Sequence, residues 1–259
     1  MDTKTETCEL DAHTLVPHMA DSLAHTATWY WSLVAVVGIM LASHTWNQRW
    51  QGDFWQHSAC IRELSLHPLS PGHPHVPVDM PHEFYNPYSL LLGLMARASG
   101  VSSITVLSIA GIVNLAFFAW ALRRFCLRLS TNQWCAMLVF LCTLVLWGYN
   151  PWMFSGFGHL AMLGDTAQYP SYFCAALTLL TWSLYVDSAV ARGGSIRILL
   201  LAIPMFVVLV SHPHTAVALQ VGMVALWCGV PHNRRGIKAI ALAGAFICTG
   251  VAALVWPYY

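Results

Sequence analysis

The run Thr28-Trp-Tyr-Trp-Ser-Leu-Val-Ala-Val-Val-Gly-Ile-Met-Leu-Ala-Ser-His-Thr45 decides the class of this chain. It has no Asp, Glu, Lys or Arg, and as a helix it would reach about 27 Å, close to the hydrocarbon thickness of a bilayer. The composition of the whole chain agrees. Of 259 residues, 57% are hydrophobic and 9% are charged, against about 25% charged in an ordinary soluble domain. So few charges cannot cover a soluble fold of this size, and the mean hydropathy of +0.57 leads to the same conclusion. The sequence predicts an all-α, polytopic transmembrane helix bundle. The net charge of +1 gives no electrostatic case for nucleic acid.

Outward from that run, the residues before it include Asp2, Glu6, Glu9, Asp11 and His13. They lack the basic start of a signal peptide and read as a polar tail over residues 1–26, partly disordered. After it, residues 47–102 form a long connection rich in Pro, His and acidic residues. Within that connection, Asp53 opens a short helix at 54–66. The apolar stretch Tyr88–Ala98 is too short to cross a bilayer and reads as an interfacial or re-entrant helix. Further apolar runs lie at Ser103–Leu122, Trp134–Trp147, Tyr169–Val186, Ile196–Val210, Thr215–Val230 and Ile237–Trp256. The total is about seven spans.

The few cations fall in three clusters: Arg123/Arg124/Arg128, Arg192/Arg197 and Arg234/Arg235/Lys238. With seven spans and a non-spanning 88–98 helix, all three fall on one side. The positive-inside rule makes that side cytoplasmic, with the N-terminus inside and the C-terminus outside. Loops 47–102, 148–168 and 211–214 then face outward, and most histidines after His44 lie in them. The chain has 13 histidines, more than its 12 Lys and Arg or its 11 Asp and Glu, so polar chemistry is expected on this outer face.

Gly52-Asp-Phe-Trp-Gln-His57 is the richest stretch there. Asp53 and His57 share a helix face at i,i+4. A carboxylate flanked by Phe54 and Trp55 suits a general base or a metal ligand, and it equally suits an N-cap whose oxygen satisfies the first amides of the helix. Arg62 offers a planar, two-point contact for phosphate, or one half of a solvated pair with Glu63. The stretch His67 to Glu83, with His73, His75, Asp79 and His82, can bring donors towards a divalent metal. Its spacing matches no established ligand motif, and an ordered polar loop is the alternative. His212 and His214, in Ser211-His-Pro-His-Thr215, are either an outer turn or two imidazoles for a phosphate or metal. His159 and Asp165, in the loop 148–168, are either turn residues or part of the site. No nucleotide-binding, zinc-protease or serine-hydrolase motif is present. Inverted repeats and intramembrane charges of the transporter kind are not evident.

The order of Asp53-Phe-Trp-Gln-His57, Ile61-Arg-Glu-Leu64, His67-Pro68, Phe84-Tyr-Asn-Pro87-Tyr88 and Arg123-Arg-Phe125 resembles the GT-C superfamily of membrane glycosyltransferases. The likeness covers most of the chain and is architectural: a module of about seven spans with two surface helices between the first two. It implies an enzyme of the bacterial-type plasma membrane that takes a sugar from a polyprenyl-phosphate donor. Asp53 would be the catalytic base, and His57, Arg62, Glu83, His159, Asp165, His212 and His214 would line the substrate site. The resemblance leaves a divalent metal ion open as a cofactor. It also implies that residues 27–259 are an N-terminal membrane module, to be joined by a further C-terminal part or a partner subunit. The rival reading is a non-enzymatic polytopic protein, either a transporter or a metal-handling protein built on the outer histidines.

Overall fold

The computed structural model describes residues 12–47, 50–76, 78, 82, 84–146, 158–190, 194–230 and 232–258. All regular structure among them is helical. The helices are α1 (Ala12–Trp46), α2 (Phe54–Leu66), α3 (Pro87–Ser99), α4 (Ser103–Leu129), α5 (Cys135–Val145), α6 (Leu163–Thr166), α7 (Pro170–Val190), α8 (Ser195–Leu200), α9 (Ala202–Ser211), α10 (Pro213–Cys228) and α11 (His232–Leu254).

A helix occurs at every predicted apolar run. Three are long and apolar enough to cross a membrane: His25–Trp46, Ser103–Leu129 and Arg235–Leu254. This chain therefore carries candidate membrane-spanning helices. Two of the other predicted spans differ from the expectation. α5 has 11 residues, about 17 Å of helix against the roughly 30 Å of a hydrocarbon core. The run at 196–210 is divided into α8 and α9, because Pro204 has no N–H to offer the carbonyl four residues back. At the break, Leu201 N–H makes a tighter, three-residue bond to Ile198 O at 3.1 Å. At the other end of the chain, the backbone is already helical at Ala12, well before the apolar run, so residues 12–26 continue the first helix and are not an irregular tail.

The two short helices α2 and α3 form where the sequence places them. α3 starts with Asn86, whose side chain accepts from Ser89 N–H at 2.9 Å, followed by Pro87 in the first turn. It stops at Gly100, which holds φ +68, a value that glycine adopts without penalty. α3 packs along α2 so closely that a Cβ at Gly93 would lie 2.7 Å from Leu64 Cβ. Phe54, Ile61, Tyr88, Leu92 and Leu107 fill the space between α2, α3 and α4.

α4 and α7 make the most extensive helix pair. They run parallel, with Phe118 against Tyr172 and Phe125 against Trp182. Asn114, buried within α4, donates to Tyr88 OH at 2.8 Å and to Ala167 O at 2.9 Å. Tyr88 OH donates in turn to Gln168 O at 2.7 Å. α3, α4 and the entry to α7 are thereby bonded together. One core lies between α1, α4, α5 and α7, and a second between α7 and α8–α11.

The bundle has two chemically distinct ends. At one, Asp187 of α7 pairs with Arg124 at 2.8 Å and with Arg128 at 2.9 Å, and buried Lys238 of α11 donates to Ser188 O at 3.0 Å. Residues from two of the three basic clusters therefore converge on the last turns of α7. At the opposite end lie the turn at His212, the loop 67–86 and the residues after α11. There Trp256 Nε1 donates to Tyr85 O at 2.8 Å, and Tyr258 OH donates to Pro68 O.

Replacing Asn114 with Leu removes the donor to Ala167 O and to Tyr88 while keeping volume. A buried acceptor left without a donor costs about 1–3 kcal/mol, so thermal unfolding of the detergent-solubilised chain is expected at a lower temperature. Val113→Ala, at an exposed neighbour, is expected to have little effect.

Candidate functional site

The site is built at the end of the bundle opposite Arg124 and Lys238. Gly52, at φ +58, turns the chain after α1 so that α2 starts with Asp53. Asp53 occupies the N-cap position in a right-handed helical conformation, and its side chain makes no capping bond. Its backbone carbonyl accepts from His57 N–H at 3.0 Å. The capping alternative is thus not realised: the carboxylate is exposed, with its lone pairs available for chemistry.

One turn into α2, His57 is only 6% exposed. Its ring lies between Phe84, 4.6 Å away and nearly parallel, and Tyr169 at 4.8 Å. Burial holds its pKa down at about 4 from 6.5, with His212 and then His82 adding to the shift. His57 is therefore neutral at physiological pH. It is an aromatic spacer in the wall of the site and carries no charge for a phosphate.

Tyr169 is the hub that sequence reading missed, because it was counted as the first residue of a span. Its hydroxyl donates to Gln51 O at 3.2 Å, and both Asp53 and Asp165 act on it electrostatically. The available signal was its position immediately before Pro170, where a helix starts and an aromatic ring can stay outside it. Through Tyr169 the structure brings Asp53, His57 and Asp165 together.

Asp165 sits in the single turn α6. Burial raises its pKa, and His44 opposes the rise. His44 Nε2 lies 3.9 Å from Asp165 Oδ1, too far for a hydrogen bond. His212 occupies the one non-helical position between α9 and α10. Its Nδ1 accepts from Thr215 N–H at 3.3 Å and lies 2.7 Å from Thr215 Oγ1, so it caps α10. Its pKa is lowered by burial and by His214. His214, 5.8 Å from it between ring centres, is exposed.

Other predicted residues stand apart. Arg62 is exposed on α2, nine residues beyond Asp53 and therefore about 14 Å further along the helix. One ligand phosphate cannot meet Arg62 while its sugar carbon meets Asp53. His159 Nδ1 accepts from Ala161 N–H at 3.1 Å, closing its own turn. Glu83 and Asp79 lie outside the described residues.

His73, His75 and His82 do gather, with ring centres 4.9, 5.9 and 6.2 Å apart. However, His73 Nδ1 accepts from His75 N–H and His82 Nδ1 accepts from Phe84 N–H, both at 3.2 Å. Those ring nitrogens serve the fold of the loop. Among the described residues, no group of three or more His, Cys, Asp or Glu side chains is arranged to hold a metal ion.

No protein-family model, no curated protein and no solved structure matches this chain. What the site can do rests on its own chemistry: an exposed carboxylate, a neutral aromatic wall and a second, partly buried carboxyl.

Neutral, buried His57 has a consequence for stability. The unfolded chain takes up this proton near pH 6.5 and the folded chain only near pH 4. Between those values protons favour unfolding, and stability rises with pH by up to about 1.4 kcal/mol per unit. Denaturant melts of wild type from pH 4 to 7 are expected to show this slope. His57→Phe, which keeps the ring contacts, is expected to flatten it.

Proposed function

We propose that this chain is a GT-C-like membrane module that transfers a sugar from a polyprenyl-phosphate donor to an acceptor hydroxyl, with Asp53 as general base. The supporting observation is that Asp53 opens α2 without capping it. A carboxylate at a helix N-terminus is normally consumed by the first amides, and here it is exposed beside Tyr169.

In the proposed step the acceptor O–H gives its proton to Asp53 as its oxygen attacks the anomeric carbon. The bond from that carbon to the phosphate oxygen breaks, and its electron pair leaves with the lipid phosphate. A positioned base contributes about 10²–10⁴-fold in such a transfer. His214, exposed beside the capping His212, is the group that meets the leaving phosphate, whereas Arg62 is too distant. His57, Phe84 and Tyr169 form the apolar wall that limits water around the reacting carbon.

The membrane arrangement belongs to the same proposal: about seven spans, with the N-terminus and the arginine-rich end cytoplasmic and Asp53 outside. The convergence of Arg124, Arg128 and Lys238 around the end of α7, away from Asp53, supports it. A transporter or metal-handling role draws on the gathered His73, His75 and His82 and is the weaker reading, because two of those rings are committed to backbone amides.

Membranes containing the chain, given a labelled polyprenyl-phosphate sugar and a hydroxyl acceptor, are expected to transfer label. Asp53→Asn should lower the rate by at least about 100-fold, with unchanged amounts of folded protein. Full transfer by Asp53→Ala would refute the mechanism. For the orientation, cysteine placed at exposed Trp55 is expected to react with an impermeant maleimide in intact cells. Cysteine placed at Arg128 should react only after permeabilisation, and the reverse pattern would invert the topology.

A further inference from the structure

A second feature lies beside this site, on the flank of α1. Val37, Met40, Leu41 and His44 occupy positions i, i+3, i+4 and i+7 of α1 and so share one face. With Leu160, Leu163 and Gly164 they line a crevice of about 160 Å³. Met40 is 51% exposed, so the crevice opens on the outward flank of a helix long and apolar enough to cross a membrane. Its lining side chains are aliphatic except for His44, whose Nε2 lies 3.9 Å from Oδ1 of Asp165, the residue after Gly164.

The end at His44 and Asp165 is polar and unsatisfied. Asp165 Oδ1 is a buried atom without a hydrogen-bond partner, and a buried polar atom without a partner is costly. His44 Nε2 and Asp165 Oδ1 are 3.9 Å apart, a gap that an oxygen can bridge by lying within hydrogen-bond distance of both. The seat of the imidazole is specific: a Cβ at Gly164 would lie 2.7–2.8 Å from three atoms of the ring. Only glycine lets His44 reach Asp165.

The chemistry of the pair selects the occupant. A carboxyl at this end gives a phosphate or carboxylate head no partner of opposite charge, and its bare Oδ1 can take a hydrogen-bond donor. The apolar walls exclude a compact polar solute. A neutral hydroxyl at the end of a hydrocarbon chain meets both demands: its O–H donates to Asp165 and its oxygen accepts from the imidazole N–H. We propose that the crevice between α1 and the 160–165 segment binds one hydrocarbon chain ending in a hydroxyl, held between His44 and Asp165. This site does not depend on Asp53 being a catalytic base.

Full-length protein in nanodiscs, without any sugar donor, can be photolabelled with a diazirine-bearing long-chain alcohol. Matched probes with a carboxylate head or no head group complete the set. The expected result is that the alcohol labels peptides covering 37–44 and 160–165. It should do so about five- to tenfold more than either matched probe, the value of one satisfied hydrogen bond. His44→Phe and Asp165→Leu are each expected to reduce alcohol labelling to the level of the headless probe. Gly164→Ala, which adds one methyl under the imidazole and removes no polar group, should do the same. Asp53→Asn should leave the labelling unchanged, which separates this site from the proposed transfer reaction. Equal labelling by alcohol and headless probes, or undiminished alcohol labelling in folded Asp165→Leu, would overturn the proposal. If His44→Phe does not fold, Asp165→Leu and Gly164→Ala decide the matter by the same readout.

Discussion

The hydrogen bond from Asn114 to the carbonyl of Ala167 is the constraint around which this structure is organised. The chain reaches α7 through a short, buried connection, and its carbonyls there have few partners within an apolar bundle. Asn114 provides a donor from inside α4 and uses its remaining N–H to hold Tyr88 of α3. One amide group therefore fixes three elements that are far apart in sequence. Because Asp165 and Tyr169 flank Ala167, their positions relative to α2 follow from it. The parallel pairing of α4 and α7 then carries the alignment through to Asp187, where Arg124 and Arg128 close the other end.

The result is a bundle with opposite chemistry at its ends. Arg124, Arg128, Lys238 and Asp187 meet at one end. At the other, histidines, aromatic rings and the carboxyls of Asp53 and Asp165 meet. The second end also holds buried ionisable groups. Burial keeps His57 neutral and pushes Asp165 towards its protonated form. Asp53 and His214 are the exposed polar groups there that a ligand can meet.

Much of this was readable from residue order. Helix α2 begins at Phe54 and α3 spans the stretch judged too short to cross, because Asn86-Pro87 and Gly100 are strong local boundary signals. The positions of the apolar runs were equally clear. Their lengths were not. Hydropathy reports where a chain is apolar, whereas the end of α8 depends on which carbonyl Pro204 leaves unmatched, and the length of α5 on how the chain turns after Val145. The site was legible only in part. Asp53 stood out as an acidic residue just after an apolar run, but whether its side chain would cap α2 is a matter of rotamer and backbone angle. His57 appeared in the sequence as a polar group and proves to be wall material, since burial is set by Phe84 and Tyr169 from distant segments. Tyr169 and His44 were hidden inside runs that hydropathy assigns to the membrane.

The bonds from Trp256 and Tyr258 to the loop 67–86 have a practical consequence. The last residues described are a strap across the loop that supports α2, so whatever is joined after Tyr258 pulls on the floor of the site. A purification handle or reporter fused there would load Tyr85 and Pro68 mechanically. A handle at the other terminus would leave that strap slack.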